Sequence, residues 1–424
     1  MRLIVLGSIA LLLQAQQEPN GLLAHVRARI AETIRQLSNY MCTQTVDRSE
    51  YRLDHAGNRT VSCDDLLAHK KTSHEIASDR LRLDVGIGAD GEMYSWAGEN
   101  HFHNSTLSQI VNEGATQNGS FASFLQMIFS IDQAEFSYDG EKIEDGRRLA
   151  GFTYRVSRAN SHYVFGKQTT AYEGTFLVDP KSFDLVRLTV RTKELPPATR
   201  ACGAFTTLDY QRVHLNDSEF LLPAATHLQI LNDDGSESDN RTIFKSCHQF
   251  LGDSTLSFDA PGDTASSKTE VTQPLALPEG LGFEIVLTQN IDTATAAVGD
   301  RLSAQLTAPI LDLSSKILAP AGTPVTGRIV EMRHLYESPP ILLIGFRLES
   351  LNIGGTSQPL TATLKSAPAT RERAQVLSRP ELRRSLRTLI NGSTAAIVFR
   401  DPRHNLVIQS GLKSTWLTAG PAER

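Results

Sequence analysis

Residues 171–192 read AYEGTFLVDPKSFDLVRLTVRT: two apolar, β-prone stretches, AYEGTFLVD and DLVRLTVRT, flank Pro180-Lys181-Ser182. Runs of that length around a turn triplet predict an antiparallel hairpin. The pattern repeats outward. Upstream, AEFSYDGEKI and RLAGFTYRVS meet at Asp145-Gly146, and DRLRLDVGIG and EMYSWAG meet at Ala89-Asp90-Gly91, hairpin signals of the Asp-Gly kind. MCTQTVDRSEYRL precedes them as a further strand, and residues 202–247 form a three-strand meander with turns at Asn216-Asp217 and Asn232-Asp233-Asp234-Gly235. Helical spacing is confined to a few places. Asn20 can cap GLLAHVRARIAETIRQL, whose Leu22, Leu23, Val26, Ile30, Ile34 and Leu37 make one stripe. TLSQIVNE stops at Gly114, while SFASFLQMIFSI, from Ser120, is apolar around most of its circumference, as a buried helix is. The front half is therefore α+β and mostly antiparallel β: a curved half-barrel sheet with a few helices.

PGDTASSKTEVTQP, residues 261–274, has no periodicity and serves as a linker between a domain at 17–260 and another at 275–424. Beyond it, Phe283, Ile285 and Leu287 alternate as in a half-buried strand, and Gly-containing turns feed strands at 318–330 and 408–418. This spacing predicts a small β-barrel with one or two helices. RPELRRSLRTLIN is one of them, with Pro380 in its first turn and Gly392 near its end.

MRLIVLGSIALLLQAQ, residues 1–16, has the charge, apolar run and Ala15 of a secretory signal peptide. Its run of roughly ten apolar residues is short of the about twenty a spanning helix needs, so the mature chain is expected to be exported, periplasmic or extracellular, with no transmembrane helix. A chain of 424 residues that is 40% hydrophobic and 21% charged is globular. Charge divides unevenly: residues 275–424 carry 16 Lys/Arg against 12 Asp/Glu, while residues 1–274 carry 26 against 35. An acidic front half argues against nucleic acid as a partner.

Cys42, Cys63, Cys202 and Cys247 in an exported chain imply disulfides, and no CxxC spacing suggests a metal. The meander puts Cys202 and Cys247 at opposite ends of its sheet, beyond the ~7 Å that a disulfide spans. If all four pair, the connectivity is crossed; Cys42 with Cys247, joining the domain's first strand to its last, and Cys63 with Cys202 is the pairing expected.

NYMCTQTVDRSEYR, GTFLVDPKSFDLVRLTV and FLLPAATHLQIL together resemble secreted bacterial proteins of the lipoprotein-carrier, LolA-like type, over about residues 20–260. That resemblance implies an unclosed sheet around an apolar cavity that carries acyl chains without catalysis. LPEGLGFEIVLTQNIDTATAAVGDRLSAQL, ILAPAGTPVTGRIVE and LIGFRLESLNIGG resemble the C-terminal β-barrel of TrbI-type subunits of type IV secretion channels, over residues 275–360. Where such subunits place an apolar pore-forming hairpin, this chain has Arg371, Arg373, Arg379, Arg383, Arg384 and Arg387. The resemblance thus implies the fold and an envelope partner, not a pore.

Candidate chemistry is sparse. His101 and His103 share a strand face but lack a third ligand; Ser410 and Lys413 spell SxxK, and Ser238-Asp239-Asn240 spells SDN, in the reverse of the enzyme order. Asp64 with Asp65, and Glu141 with Glu144 and Asp145, are paired carboxylates beside turns. None of these supports a catalytic, metal or cofactor assignment. Arg379, Arg383, Arg384 and Arg387 make a basic helix face suited to an anionic surface. Phe121, Phe124, Leu125, Ile128 and Phe129 are the candidate ligand-facing residues. The sequence thus points to a non-enzymatic envelope protein whose first domain binds lipid or lipoprotein and whose second docks to another envelope protein. The alternatives are a disulfide-stapled adaptor without a cavity and, less favoured, an envelope-polymer hydrolase.

Overall fold

The computed structural model describes residues 19–420 except 38–39, 55–61, 70–71, 89–90, 100–101, 103–106, 112–113, 117–118, 216–217, 250–276, 339, 368–394 and 401–405. The signal segment, the linker, His101, His103 and the arginine face at 379, 383, 384 and 387 lie outside the described residues. In the first half, α1 (Pro19–Leu37) precedes β1 (Tyr40–Leu53), α2 (Cys63–Ala68), β2 (Ser73–Gly88) and β3 (Gly91–Trp96). The short helices α3 (Leu107–Ile110) and α4 (Ser123–Gln126) follow, α4 continuing as one π-helical turn, Met127–Ile131. Then come β4 (Glu135–Glu144), β5 (Arg147–Val156), β6 (Ala171–Val178), β7 (Leu185–Lys193), β8 (Ala201–Leu215), β9 (Ser218–Asn232) and β10 (Glu237–Gln249). These ten strands pair antiparallel in the order β3-β2-β1-β10-β9-β8-β7-β6-β5-β4.

Local chemistry sets the hairpins. Asp145 and Gly146 both take positive φ, 47° and 73°, which a two-residue hairpin turn following strand twist requires. Between β6 and β7, the Asp179 carboxylate accepts the backbone N–H groups of Lys181 and Ser182 at 2.8 and 3.2 Å, closing the turn. Gly174 marks a gap in that hairpin's register, between the pairs Glu173 with Arg191 and Phe176 with Leu188. There the Tyr154 hydroxyl reaches across and donates to the Thr189 carbonyl at 2.8 Å. A Cβ at Gly174 would sit 1.9 Å from that carbonyl oxygen. Gly174→Ala is expected to lower stability by about 3 kcal/mol, seen as a lower denaturant midpoint with an unchanged slope.

Two sequence expectations for the helices shift. Asn20 lies inside α1, which begins at Pro19, a residue suited to the first helical position. The apolar segment from Ser120 becomes a four-residue α-helix and a π-turn rather than a continuous α-helix. Helix α1 buries Leu22, Val26, Ile30 and Thr33 against the sheet. Arg29 and Arg212 both donate to the buried Asp184 carboxylate, at 3.0 and 2.7 Å, pinning the helix over β8. Asp64 and Asp65 fall in the first turn of α2, where Ser62 Oγ accepts the Asp65 N–H at 3.2 Å. Glu144 accepts from Arg187 at 2.9 Å rather than facing solvent alone.

Disulfides join Cys42 to Cys247, across β1 and β10, and Cys63 to Cys202, tying α2 to β8. At the first, the β1–β10 register shifts by one residue, and Ser246 adopts φ 51° to bring Cys247 opposite Cys42.

The second half contains β11 (Gly282–Leu287), β12 (Arg301–Leu306), β13 (Pro324–Leu335), β14 (Ile341–Ile353), β15 (Thr356–Pro359), β16 (Ala362–Ser366), β17 (Ala395–Arg400) and β18 (Lys413–Thr418). Among the described residues no separate closed barrel is seen. Arg333, His334 and Leu335 of β13 pair with Asp79, Ser78 and Ala77 of β2, so all eighteen strands belong to one hydrogen-bonded sheet. The seam is polar. Arg82 N–H donates to the Val298 carbonyl and Val298 N–H to the Arg80 carbonyl, each at 2.8 Å. Arg333 pairs with Glu50 at 2.8 Å, and buried Arg328 pairs with Glu99 at 3.3 Å. The shared backbone ladder and these largely buried ion pairs together hold the seam.

Candidate functional site: a pocket on the covered face of the sheet

Alternation along β1 turns Cys42, Gln44, Val46 and Arg48 to the face that the helices cover. Leu81 and Leu83 of β2, Leu228 of β9, and Asn240 and Thr242 of β10 point to the same side, and Leu107 of α3 with residues 115, 116 and 120 closes over them. They line a small pocket of about 20 Å³, room for about one water molecule. Its wall mixes apolar side chains, Val46, Leu81, Leu83, Leu107 and Leu228, with hydrogen-bonding ones, Gln44, Arg48, Asn240 and Thr242: Gln44 stands opposite Leu83, Thr242 opposite Val46 and Asn240 opposite Leu228.

Arg48 organises the polar end. Its Nε donates to Asp79 at 2.7 Å, its second terminal nitrogen pairs with the same carboxylate, and its Nη1 donates to the Ala115 carbonyl at 3.3 Å. Burial alone would lower its pKa, but Asp79, with Glu331 and Glu50 beyond, outweighs burial and holds it above the ordinary arginine value. Asn240 Nδ2 donates to the same Ala115 carbonyl at 2.8 Å, so one backbone oxygen anchors the cover to two strands. Gly114, at φ 79°, lets the chain pass: a Cβ there would lie 2.7 Å from an Arg48 terminal nitrogen.

Glu92 of β3 holds the rest of the cover. Its Oε1 accepts the N–H groups of Phe121, Ala122 and Ser123 at 2.9, 2.8 and 3.1 Å, and its Oε2 accepts that of Gly119 at 2.8 Å and the Tyr94 hydroxyl. A carboxylate from a distant strand thus satisfies the free donors at the start of α4. At the other end, the fully buried Asp132 accepts the Tyr172 hydroxyl at 2.6 Å and His162 Nδ1 at 2.6 Å.

Between these two carboxylates lie the five residues predicted to face a ligand. Phe121, Phe124, Leu125, Ile128 and Phe129 are 0–5% exposed. Phe121 meets Phe244, Phe124 meets Tyr163 edge-on, and Phe129 meets Phe136 and Phe176, in an aromatic core shared with Phe152 and Tyr154. None of the five lines the pocket. Ser410 and Lys413 belong to the turn before β18 and its first residue, with Lys413 paired to Glu284 at 3.3 Å, while Ser238, Asp239 and Asn240 lie on β10, where Asp239 pairs with His227 at 2.7 Å. The two motifs lie on separate strands of the two halves. Among the described residues no group of three His, Cys, Asp or Glu is placed to hold a metal ion.

Sequence reasoning passed over Arg48, Glu92 and Asp132. The signal for Arg48 was present: it shares strand parity with Cys42, Gln44 and Val46, a charge on a face otherwise bound for the core. Glu92 likewise shares parity with Tyr94 and Trp96.

Burial raises the pKa of Tyr94 and Tyr154 well above the ordinary phenol range, raises Tyr210, and brings Tyr163 to about 12. A raised folded-state pKa contributes stability that is intact below the unfolded value, about 10, and lost as pH climbs toward the folded one. Stability is therefore expected to fall above about pH 10, by up to ~1.4 kcal/mol per buried tyrosine per pH unit. Absorbance at the tyrosinate band should rise together with unfolding; ionisation of these tyrosines at an ordinary pKa in the folded chain would contradict the burial.

No protein-family model and no curated protein matches the chain. Among solved structures it is similar to a DUF1329 family protein from Desulfovibrio piger at 10% identity, covering 54% of this chain and 92% of that one, with a TM-score of 0.27. A putative outer membrane lipoprotein-sorting protein domain from Vibrio parahaemolyticus is similar at 10% identity, over 53% and 92%, with a TM-score of 0.26. ComB10 of the Com type IV secretion system of Helicobacter pylori is similar at 11% identity, over 34% and 86%, with a TM-score of 0.19.

Proposed function

We propose that the chain is an exported, non-catalytic bacterial envelope protein that binds an apolar or amphiphilic molecule in the pocket beneath Leu107 of α3 and residues 115, 116 and 120. The observation that carries this reading is the mixed lining of the pocket, in which Val46, Leu81, Leu83 and Leu228 stand beside Gln44, Asn240 and Thr242 on the covered face; the closed pocket, about 20 Å³, has room for about one water, so a ligand enters only as α3 shifts. Its cover is only a four-residue helix and a short segment, latched by Arg48, Asn240 and Glu92. The two disulfides suit an oxidising compartment, and no described helix is long and apolar enough to cross a membrane. The second half, extending the same sheet from β2, serves as the docking end for another envelope protein.

The test is fluorescence of the neutral apolar probe N-phenylnaphthylamine with the full chain and with Leu83→Trp, which fills the pocket. Signal gain in the wild type that the variant loses supports the reading; no gain, or an equal gain in both, overturns it. The second reading, an adaptor with no ligand, draws on one observation. The aromatic core around Phe121, Phe124 and Phe129 is filled by the protein's own side chains.

A further inference from the structure

In the second half, Ile310–Leu311 and Ile317–Ala319 pair antiparallel as a small two-stranded sheet of their own. Its base is anchored: Ile310 and Ala319 stand opposite each other and are both fully buried in the core. Alternation then turns Leu311 and Ile317, also opposite each other, outward, where a hairpin in water carries polar side chains. Leu311 is 42% and Ile317 58% exposed, and Leu313, at the tip, is 100% exposed, the most exposed large apolar side chain among the described residues. A contiguous aliphatic patch held out on a hairpin marks a surface that meets something apolar.

The tip closes on itself. One carboxylate oxygen of Asp312 accepts the N–H groups of Ser314 and Lys316, each at 2.8 Å, and the Ser314 hydroxyl at 2.7 Å. Asp312 N–H donates to the Lys316 carbonyl and Ser315 N–H to the Asp312 carbonyl, each at 3.0 Å. The polar groups of the turn are thus largely satisfied within it, which lowers the cost of leaving water for the interfacial layer of a bilayer. Three aliphatic side chains cover far less than the about 1,000 Å² that a specific protein interface needs. Charge selects the lipid class. Residues 275–424 carry 16 Lys/Arg against 12 Asp/Glu, and exposed Lys316 has a stem long enough to lie along the patch with its ammonium at head-group phosphates.

We infer that this hairpin is a lipid-surface anchor: Leu311, Leu313 and Ile317 enter the interfacial layer of a bilayer containing anionic phospholipid, with Lys316 at its phosphates. Anchoring there does not depend on the pocket.

The experiment is flotation of the full chain with vesicles of phosphatidylethanolamine and phosphatidylglycerol. Leu313→Ser should lower the vesicle partition coefficient about tenfold, and vesicles of phosphatidylcholine alone should bind the wild type at least threefold more weakly. Ile143→Ser, at an exposed apolar residue of the first half, should bind as the wild type does. An unchanged denaturant midpoint in Leu313→Ser confirms that the fold is kept. Absence of wild-type binding, binding that Leu313→Ser retains, or an equal loss in Ile143→Ser overturns the anchor. Equal binding to both vesicle types overturns the role of charge. Self-association of the chain that needs Leu313, in place of vesicle binding, gives the tip to a second copy and overturns the lipid assignment.

Discussion

Replacing Cys42 and Cys247 together by serine lowers the stability of the oxidised chain by about 4 kcal/mol, one of the two largest effects expected in the molecule. The bond closes a separation of 205 residues, and the 139-residue bond between Cys63 and Cys202 lies inside it. Chain entropy grows only with the logarithm of loop length, so the inner bond reduces the contribution of the outer one without removing it. The local cost is also high. Cys42 is fully buried, and β1 and β10 are central strands that both border the pocket. Equilibrium unfolding in denaturant, compared between wild type and the double variant without reductant, measures the loss. A change below about 1 kcal/mol would mean that the β1–β10 ladder holds this end of the sheet alone.

The second large effect belongs to Glu92. Glu92→Ala leaves four backbone N–H groups, those of Gly119, Phe121, Ala122 and Ser123, and the Tyr94 hydroxyl without their acceptor. Each buried donor left unsatisfied costs about 1–3 kcal/mol; with water reaching some of them, the expected loss is about 3–5 kcal/mol. Glu92→Gln keeps one good acceptor oxygen and should lose roughly half as much. The distinguishing readout is local. Amide exchange over residues 119–131 should speed more than exchange in β5 and β6, because Glu92 anchors the start of that segment. Uniformly faster exchange would assign Glu92 to general stability, and an unchanged rate would show that the aromatic packing of Phe121 and Phe124 suffices.

The strand pattern was legible because its signals are local. Asp145-Gly146 and Asp179 to Asp184 fix their hairpins within a few residues, and the alternation of Cys42, Gln44, Val46 and Arg48 is visible at a glance. The separation of Cys202 from Cys247 across the meander likewise follows from nearby turns. What the sequence did not reveal depends on distant partners. Nothing near Arg333 or His334 says that β13 will pair with β2, so the second half reads as its own barrel rather than an extension of the first sheet. The segment from Ser120 reads as a lid or a plug with equal ease. Its burial shows only when Phe136, Phe176 and Phe244 arrive from strands far along the chain. Arg48, Glu92 and Asp132 were overlooked for the same reason: a charged residue on a core face acquires meaning from Asp79, from the 119–123 amides or from Tyr172, none of them adjacent in sequence.

Native mass spectrometry of the full chain, purified from its own envelope fraction without detergent, tests the binding role most directly. An added mass of amphiphile size that leaves on denaturation is expected in the wild type and not in Leu83→Trp. A bare mass for the wild type in repeated preparations would contradict it and leave the disulfide-stapled adaptor as the better description.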